Sequence, residues 1–157
     1  MGGDFRADRI GSAWRGENPT VLRRVGGGFV MIGEVQFLPG YALLLTDDPG
    51  VQRLSDLPRV RRRGFLEDMD ALAEAVERAC GRMDSGFRRV NVEILGNSEP
   101  YLHVHVWPRY DWEPANLVRG PVWLYPAENW SDPRYALGPQ HELIRGLILE
   151  ELDRIRG

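Results

Sequence analysis

The stretch Tyr101-Leu102-His103-Val104-His105-Val106-Trp107 constrains this chain more than any other, because its residues alternate without a break. A period of two is the mark of a β-strand with one buried face. Leu102, Val104 and Val106 turn to one side, and Tyr101, His103, His105 and Trp107 to the other. The apolar side anchors the segment in a core, and Pro108, which has no N–H to give to a ladder, closes it. Alternate residues on a strand lie ~7 Å apart, so two imidazoles mounted this way can flank a single phosphoryl group. They are two of only three histidines in the 157 residues.

The rest of the chain supplies partners for such a strand. Residues 21–25 read as a short strand, Gly26-Gly27-Gly28 as a turn, and 29–32 as a second strand that 34–37 can extend. Leu38-Pro39-Gly40 makes a bend before a well-buried strand over 41–45, which Asp47-Asp48-Pro49-Gly50 ends. Ser55-Asp56-Leu57-Pro58 looks like the start of a helix. From Gly64 onward, Phe65, Met69, Leu72, Val76 and Ala79 recur at helical steps, with Gly81 as the expected stop. Arg59, Arg61, Arg62 and Arg63 invite a nucleic-acid reading, but Glu67, Asp68 and Asp70 follow within two turns, so a solvated helix face is the better one. A strand over 90–95 and a tight connection over 96–100 lead to the histidine strand.

Residues 110–135 are rich in Trp, Pro, Tyr and Asp, as in an ordered surface loop or a partner-facing segment. A last helix is expected from about 140 to 155, with Leu143, Ile144, Leu147, Ile148 and Leu152 on one side. Residues 1–20 read as an irregular N-terminal arm and 21–157 as a single domain. Strands, helix, strands, helix is the order of an α+β domain with an antiparallel sheet.

Composition narrows the function classes. A formal net charge of −3 gives no overall positive field to draw in nucleic acid or anionic lipid. All 20 basic residues are arginine, so an anion is held by Arg, His, backbone N–H or neutral donors, never by a lysine ammonium. Cys80 is alone and sits in a helical pattern, which suits a buried, inert thiol. No apolar run approaches the ~20 residues of a membrane span, and the first residues lack a secretory pattern. A cytoplasmic location is the expectation.

The histidine pair admits three readings from its pattern: half-exposed strand residues without a role, a metal site, or nucleophilic catalysis at phosphorus. A metal needs a third ligand, for which only His141 or an unplaced carboxylate is available. His141 is expected near the start of the last helix, in solvent. Residues 101–109 resemble the histidine triad family, whose motif is His-φ-His-φ-His-φ-φ, often followed by Pro-Arg. Aligned on Pro108-Arg109, His103 falls on the central, nucleophilic histidine, His105 on the third, and Tyr101 where the first would stand. Leu95-Gly96-Asn97-Ser98-Glu99-Pro100 resembles the Leu-Gly-Asn-x-x-Pro lead-in of the family's bacterial diadenosine tetraphosphate hydrolase-like branch. Leu38-Pro39-Gly40-Tyr41 resembles its Pro-Gly-His strand opening, with Tyr41 in place of histidine.

The resemblance implies an antiparallel sheet of about five strands with one long helix and a C-terminal helix. It also implies a homodimer formed through the helix over 64–80 and sheet-edge strands. The activity it implies is hydrolysis or transfer at the α-phosphate of dinucleoside polyphosphates, diadenosine tetraphosphate first among them, through a covalent nucleotidyl-His103. Nucleoside phosphoramidates and nucleotide sugars are rival substrates, and a nucleotide-binding protein without turnover is the alternative of a different class. His105 would stabilise the phosphoryl oxygens or assist the leaving group, and His103 would need a backbone carbonyl behind it to fix its tautomer. Asn97, Ser98 and Gln36 are candidates to contact phosphate, Met31 and Gly33 to cradle the nucleoside, and Tyr41 and Tyr101 to support the histidines. Arg109 would bind phosphate or pair with Asp111. Trp107, Trp112 and Trp123 would stack a base or pack an interface. No cofactor is held by the protein in this scheme; Mg²⁺ would arrive with a polyphosphate substrate.

Overall fold

The computed structural model describes residues 3–157. One five-stranded sheet organises it, made of β1 (Val21–Val25), β2 (Gly28–Ile32), β3 (Ala42–Thr46), β4 (Phe87–Glu93) and β5 (His103–Tyr110), in the order β1-β2-β3-β5-β4. Every neighbouring pair is antiparallel. The α+β class and the strand count agree with the sequence reading.

The register sorts the side chains into two faces. Val30, Leu44 and Val104 lie abreast, as do Ile32, Ala42, Val106 and Val92. On this face pack α2 (Arg59–Met83) and α4 (Glu142–Arg156), which meet Val30, Leu44 and Val104 with Phe65, Leu72, Val76, Ile144 and Ile148, all buried. Leu143 does not join them and is exposed. The long helix begins at Arg59, directly after the helix entry expected at 55–58 and five residues ahead of the clear apolar periodicity, with Pro58 at its N-cap where fixed φ and a missing N–H do no harm. It also runs through Gly81, since the packing of Ala79 and Cys80 against the core outweighs the ~1 kcal/mol cost of a helical glycine. Its arginine run stays on the exposed turn.

The second face carries Phe29 and Leu45 abreast of His103, and Met31 and Leu43 abreast of His105. Here the N-terminal arm departs from its expected irregularity. A 3₁₀ turn (Phe5–Asp8) leads into α1 (Arg9–Trp14), whose Ile10 and Ala13 pack on Phe29, Met31 and Leu45. Residues 110–135 cover the remainder of this face with short helical turns and α3 (Ala127–Ser131). Their Tyr125, Trp130 and Tyr135 close around Phe37, so the segment is largely a lid of packed aromatics.

Candidate active site

His103 and His105 emerge side by side from β5, with ring centroids 4.8 Å apart and both side chains buried but for an edge. They open on a cavity of about 190 Å³ lined on its apolar side by Met31, Leu43, Leu45, Tyr101 and Trp130. Each ring is held from behind by a different partner. His103 Nδ1 lies 2.8 Å from the backbone oxygen of Tyr101. A carbonyl can only accept, so Nδ1 carries a proton, and in the neutral ring the lone pair stands on Nε2. His105 Nδ1 lies 2.6 Å from the Tyr41 hydroxyl. Burial raises the Tyr41 pKa far above its ordinary value, so the hydroxyl stays protonated. It has no other hydrogen-bond partner among the described residues and donates to Nδ1, which leaves the proton of His105 on Nε2. The pair thus presents one lone pair and one N–H donor.

Burial, with the neighbouring His103 as a smaller cause, lowers the His105 pKa to about 4, so this ring is neutral at physiological pH. The shift has a thermodynamic consequence. In the unfolded chain His105 takes up a proton as the pH falls through 6.5, while the folded protein resists until about 4. The folded state therefore loses stability as pH drops across that window, and His105 accounts for about 2–3 kcal/mol of the loss by pH 4.5. Denaturant unfolding of wild type and a His105→Gln variant at pH 7.5 and 4.5 measures it. Equal losses in the two proteins would show that the ring does not titrate as described.

Tyr41 owes its position to its neighbours. Its ring lies flat on Trp107, centroids 3.4 Å apart and planes 5° from parallel. A Cβ on Gly33 would stand 2.0 Å from the Tyr41 ring, so only glycine leaves room for it. Gly33 thus serves the tyrosine. Met31 is both core and cavity wall. Tyr101 lines the cavity, with its hydroxyl donating to Glu99 at 2.5 Å.

Several expected site residues have other surroundings in the fold. Gln36 is buried, its amide spent on the carbonyls of Gly33 and Tyr41 and the N–H of Gly40, so it pins the bend and has nothing left for phosphate. Arg109 is buried against Glu113 at 2.8 Å and donates also to Asn91 and to the carbonyls of Leu117, Val118 and Gly120. Its guanidinium is committed to the fold, and Asp111 pairs with Arg88. Asn97 and Ser98 lie exposed in a bend outside the cavity. His141 is where expected along the chain but buried, accepting from the Gly138 N–H, and burial lowers its pKa. Among the described residues no three His, Cys, Asp or Glu side chains gather as metal ligands. Trp107 is buried on Tyr41 and Trp112 packs on Tyr110. Trp123 stands edge-on to His105 at 5.0 Å and lies parallel to Trp130.

Sequence reasoning missed Arg9, Glu34, Glu99 and Trp130 on the cavity wall. Arg9 Nη1 meets Glu34 at 2.6 Å and its Nε meets Glu99 at 3.3 Å, which neutralises the one cation there. Glu93 is missed too, although pairing of the two strands sets it directly across from His105.

No protein-family model matches the chain, and no curated protein does. The fold, however, is that of solved histidine triad proteins. One from Sinorhizobium meliloti superposes with a TM-score of 0.70 at 19% identity, over 96% of each chain. One from Marinobacter aquaeolei gives 0.68 at 23% identity, over 86% of this chain and 89% of its own. A third, described as a hypothetical histidine triad nucleotide-binding protein from Sulfolobus tokodaii, gives 0.63 at 14% identity, over 94% and 92%.

Proposed function

We propose that this chain is a histidine triad enzyme of the bacterial diadenosine tetraphosphate hydrolase-like branch, with Tyr101 in place of the first histidine. It cleaves or transfers at the α-phosphate of dinucleoside polyphosphates or related nucleotide conjugates. The observation that carries the reading is the division of labour between two adjacent rings that line one cavity: the carbonyl behind His103 turns the lone pair of its neutral form to Nε2, and the hydroxyl behind His105 leaves an N–H on that ring's Nε2. His103 attacks the α-phosphorus, a P–N bond forms, and the bond to the leaving oxygen breaks with its electron pair. The His105 N–H donates to the phosphoryl oxygens as their charge grows, a stabilisation preset by Tyr41. Water then attacks the adduct, a nucleoside monophosphate departs, and His103 is restored. Mg²⁺ enters only as the counter-ion of a polyphosphate substrate.

The apolar wall of Met31, Leu43, Leu45 and Tyr101 suits a nucleoside. The test is chemical. Brief incubation with diadenosine tetraphosphate labelled in the α-phosphate and rapid quenching should leave acid-labile label on the peptide containing His103. Label on another residue would overturn the assignment. Nucleoside phosphoramidates and nucleotide sugars belong in the same assay as competing substrates.

One observation favours a second reading. With Tyr41 and Tyr101 at both supporting positions, neither support titrates near neutrality, as histidine would. Tight binding of AMP with no turnover of any nucleotide would mark a binding protein instead. The proposal also includes a homodimer joined along β4, one of the two edge strands of the sheet, beside which Val92, Ile94 and Leu95 are exposed. The inner face of α2 is already taken by α4 and the sheet of its own chain, so that helix contributes less than the sequence reading expects. Light scattering at twice the chain mass is the result that fits. A cytoplasmic location goes with this reading; no described helix is long and apolar enough to cross a membrane.

A further inference from the structure

Most arginines of this chain are tied to carboxylates. Among the described residues Arg59, Arg62, Arg63, Arg89 and Arg119 are not within salt-bridge distance of one. Arg59 and Arg63 stand on the exposed side of α2, and Arg62 donates to the carbonyls of Leu54, Ser55 and Leu57. The remaining two, Arg89 and Arg119, line one cleft of about 440 Å³ between β4 and the turn 118–121, together with Arg88, Asn91 and Glu93. Arg88 shares that cleft with only a solvent-exposed pairing to Asp111.

The cleft is a neighbour of the histidines. Glu93 lies across from His105, Asn91 across from Trp107, and Arg89 across from Arg109, so all three side chains rise on the histidine face of the sheet. Four residue steps of strand take Arg89 to Glu93, a span of roughly 13 Å that the long arginine side chain can shorten. Electrostatically the two hollows are opposites. In the cavity at His103, Arg9 is cancelled by Glu34 and Glu99. In the cleft, the Arg89 and Arg119 guanidinium groups face no carboxylate, Arg89 giving only its Nε to the Val90 carbonyl at 3.4 Å, and the carboxylate on the wall, Glu93, accepts from the Trp123 indole N–H at 2.6 Å.

We propose that this cleft is a subsite for the polyanionic leaving portion of the substrate, a chain of several phosphates that runs from His103 past Trp123 to Arg89 and Arg119. This rests on the reading of His103 as the nucleophile. The near cavity, with no uncompensated cation, takes the uncharged nucleoside, and the far cleft takes the charge. A single phosphate on the α-phosphorus is too short for the distance, so the arrangement selects long polyphosphates over nucleoside phosphoramidates, whose leaving group is an amine.

The test uses inorganic tripolyphosphate as the probe, with titration calorimetry on wild type, an Arg89→Gln/Arg119→Gln variant and a His103→Ala variant. Both arginines are exposed, and an unchanged thermal melt verifies the fold of the double variant. Wild type and His103→Ala should bind alike, and the double variant should bind at least about tenfold more weakly, as expected for lost charge-assisted hydrogen bonds. In turnover, the double variant should raise KM for diadenosine tetraphosphate while leaving a nucleoside phosphoramidate unaffected. Tripolyphosphate that fails to bind wild type, or binds the double variant equally well, overturns the subsite. Loss of binding in the double variant with no turnover of any nucleotide by wild type would keep the subsite and remove the catalytic reading instead.

Discussion

Replacing His103 with alanine should lower kcat on the best nucleotide substrate by roughly 10⁴-fold or more, the scale on which enzymes lose rate when a covalent nucleophile is removed. The dissociation constant for AMP should change by less than about tenfold, because the apolar wall around the nucleoside is untouched. That split between rate and binding separates a nucleophile from a residue that merely shapes the cavity. The same substitution at His105 should cost less, about 10²- to 10³-fold, since a hydrogen-bond donor is lost but the attacking atom remains. The order of the two effects follows from their partners: a carbonyl behind His103 exposes a lone pair, and a hydroxyl behind His105 exposes an N–H. Single-turnover kinetics on purified variants are the measurement. A His103→Ala enzyme as fast as wild type would end the proposal, and a His105 variant slower than the His103 variant would reverse the two roles.

The largest effect on stability should come from Arg109→Met. Its guanidinium is the hub for the turn 113–121, holding the fully buried Glu113 carboxylate and three half-buried backbone carbonyls. Methionine fills part of the volume but strands the Glu113 carboxylate, which keeps only Tyr110 N–H and the Tyr125 hydroxyl as donors. Removing one partner of a buried ion pair typically costs about 3–5 kcal/mol. For a domain of this size each kcal/mol moves Tm by about 2–4 °C, so a fall of about 10 °C is expected by calorimetry. A fall of only about 2 °C would mean that the carboxylate finds water, and that the turn is looser than its hydrogen bonds indicate. Arg109→Lys should rescue little, because one ammonium cannot serve five acceptors arranged around a planar fork.

These two arginine and histidine positions show where the sequence was legible. Strict alternation over 101–107 identified the histidine face and its apolar reverse, and the structure has Val104 and Val106 fully buried there. The helical steps of Phe65, Leu72, Val76 and Ala79 likewise gave the packing face of α2. Both readings succeed because period and burial are properties of neighbours along the chain. Arg109 and Gln36 were misread because their partners are not: a guanidinium in a motif looks available until the turn 117–120 folds back over it, and an amide looks free until the bend at 38–40 consumes it. α1 was illegible for a related reason. A helix of six residues has no stability of its own, and its form is imposed by Phe29, Met31 and Leu45 beneath it. Leu143 fell on the wrong side because its neighbour Ile144 carries the buried stripe, one residue further round the turn.

The seating of Tyr41 on Gly33 and Trp107 has one further implication. A histidine in that place could pass a hydrogen ion back and forth with its neighbour; a phenol so deeply shielded cannot. It works as a latch and not as a relay, clamping the imidazole in front of it into a single form. Swings in acidity between mildly acid and alkaline media leave that form untouched, so this arm of the machinery is insulated from the surrounding proton supply.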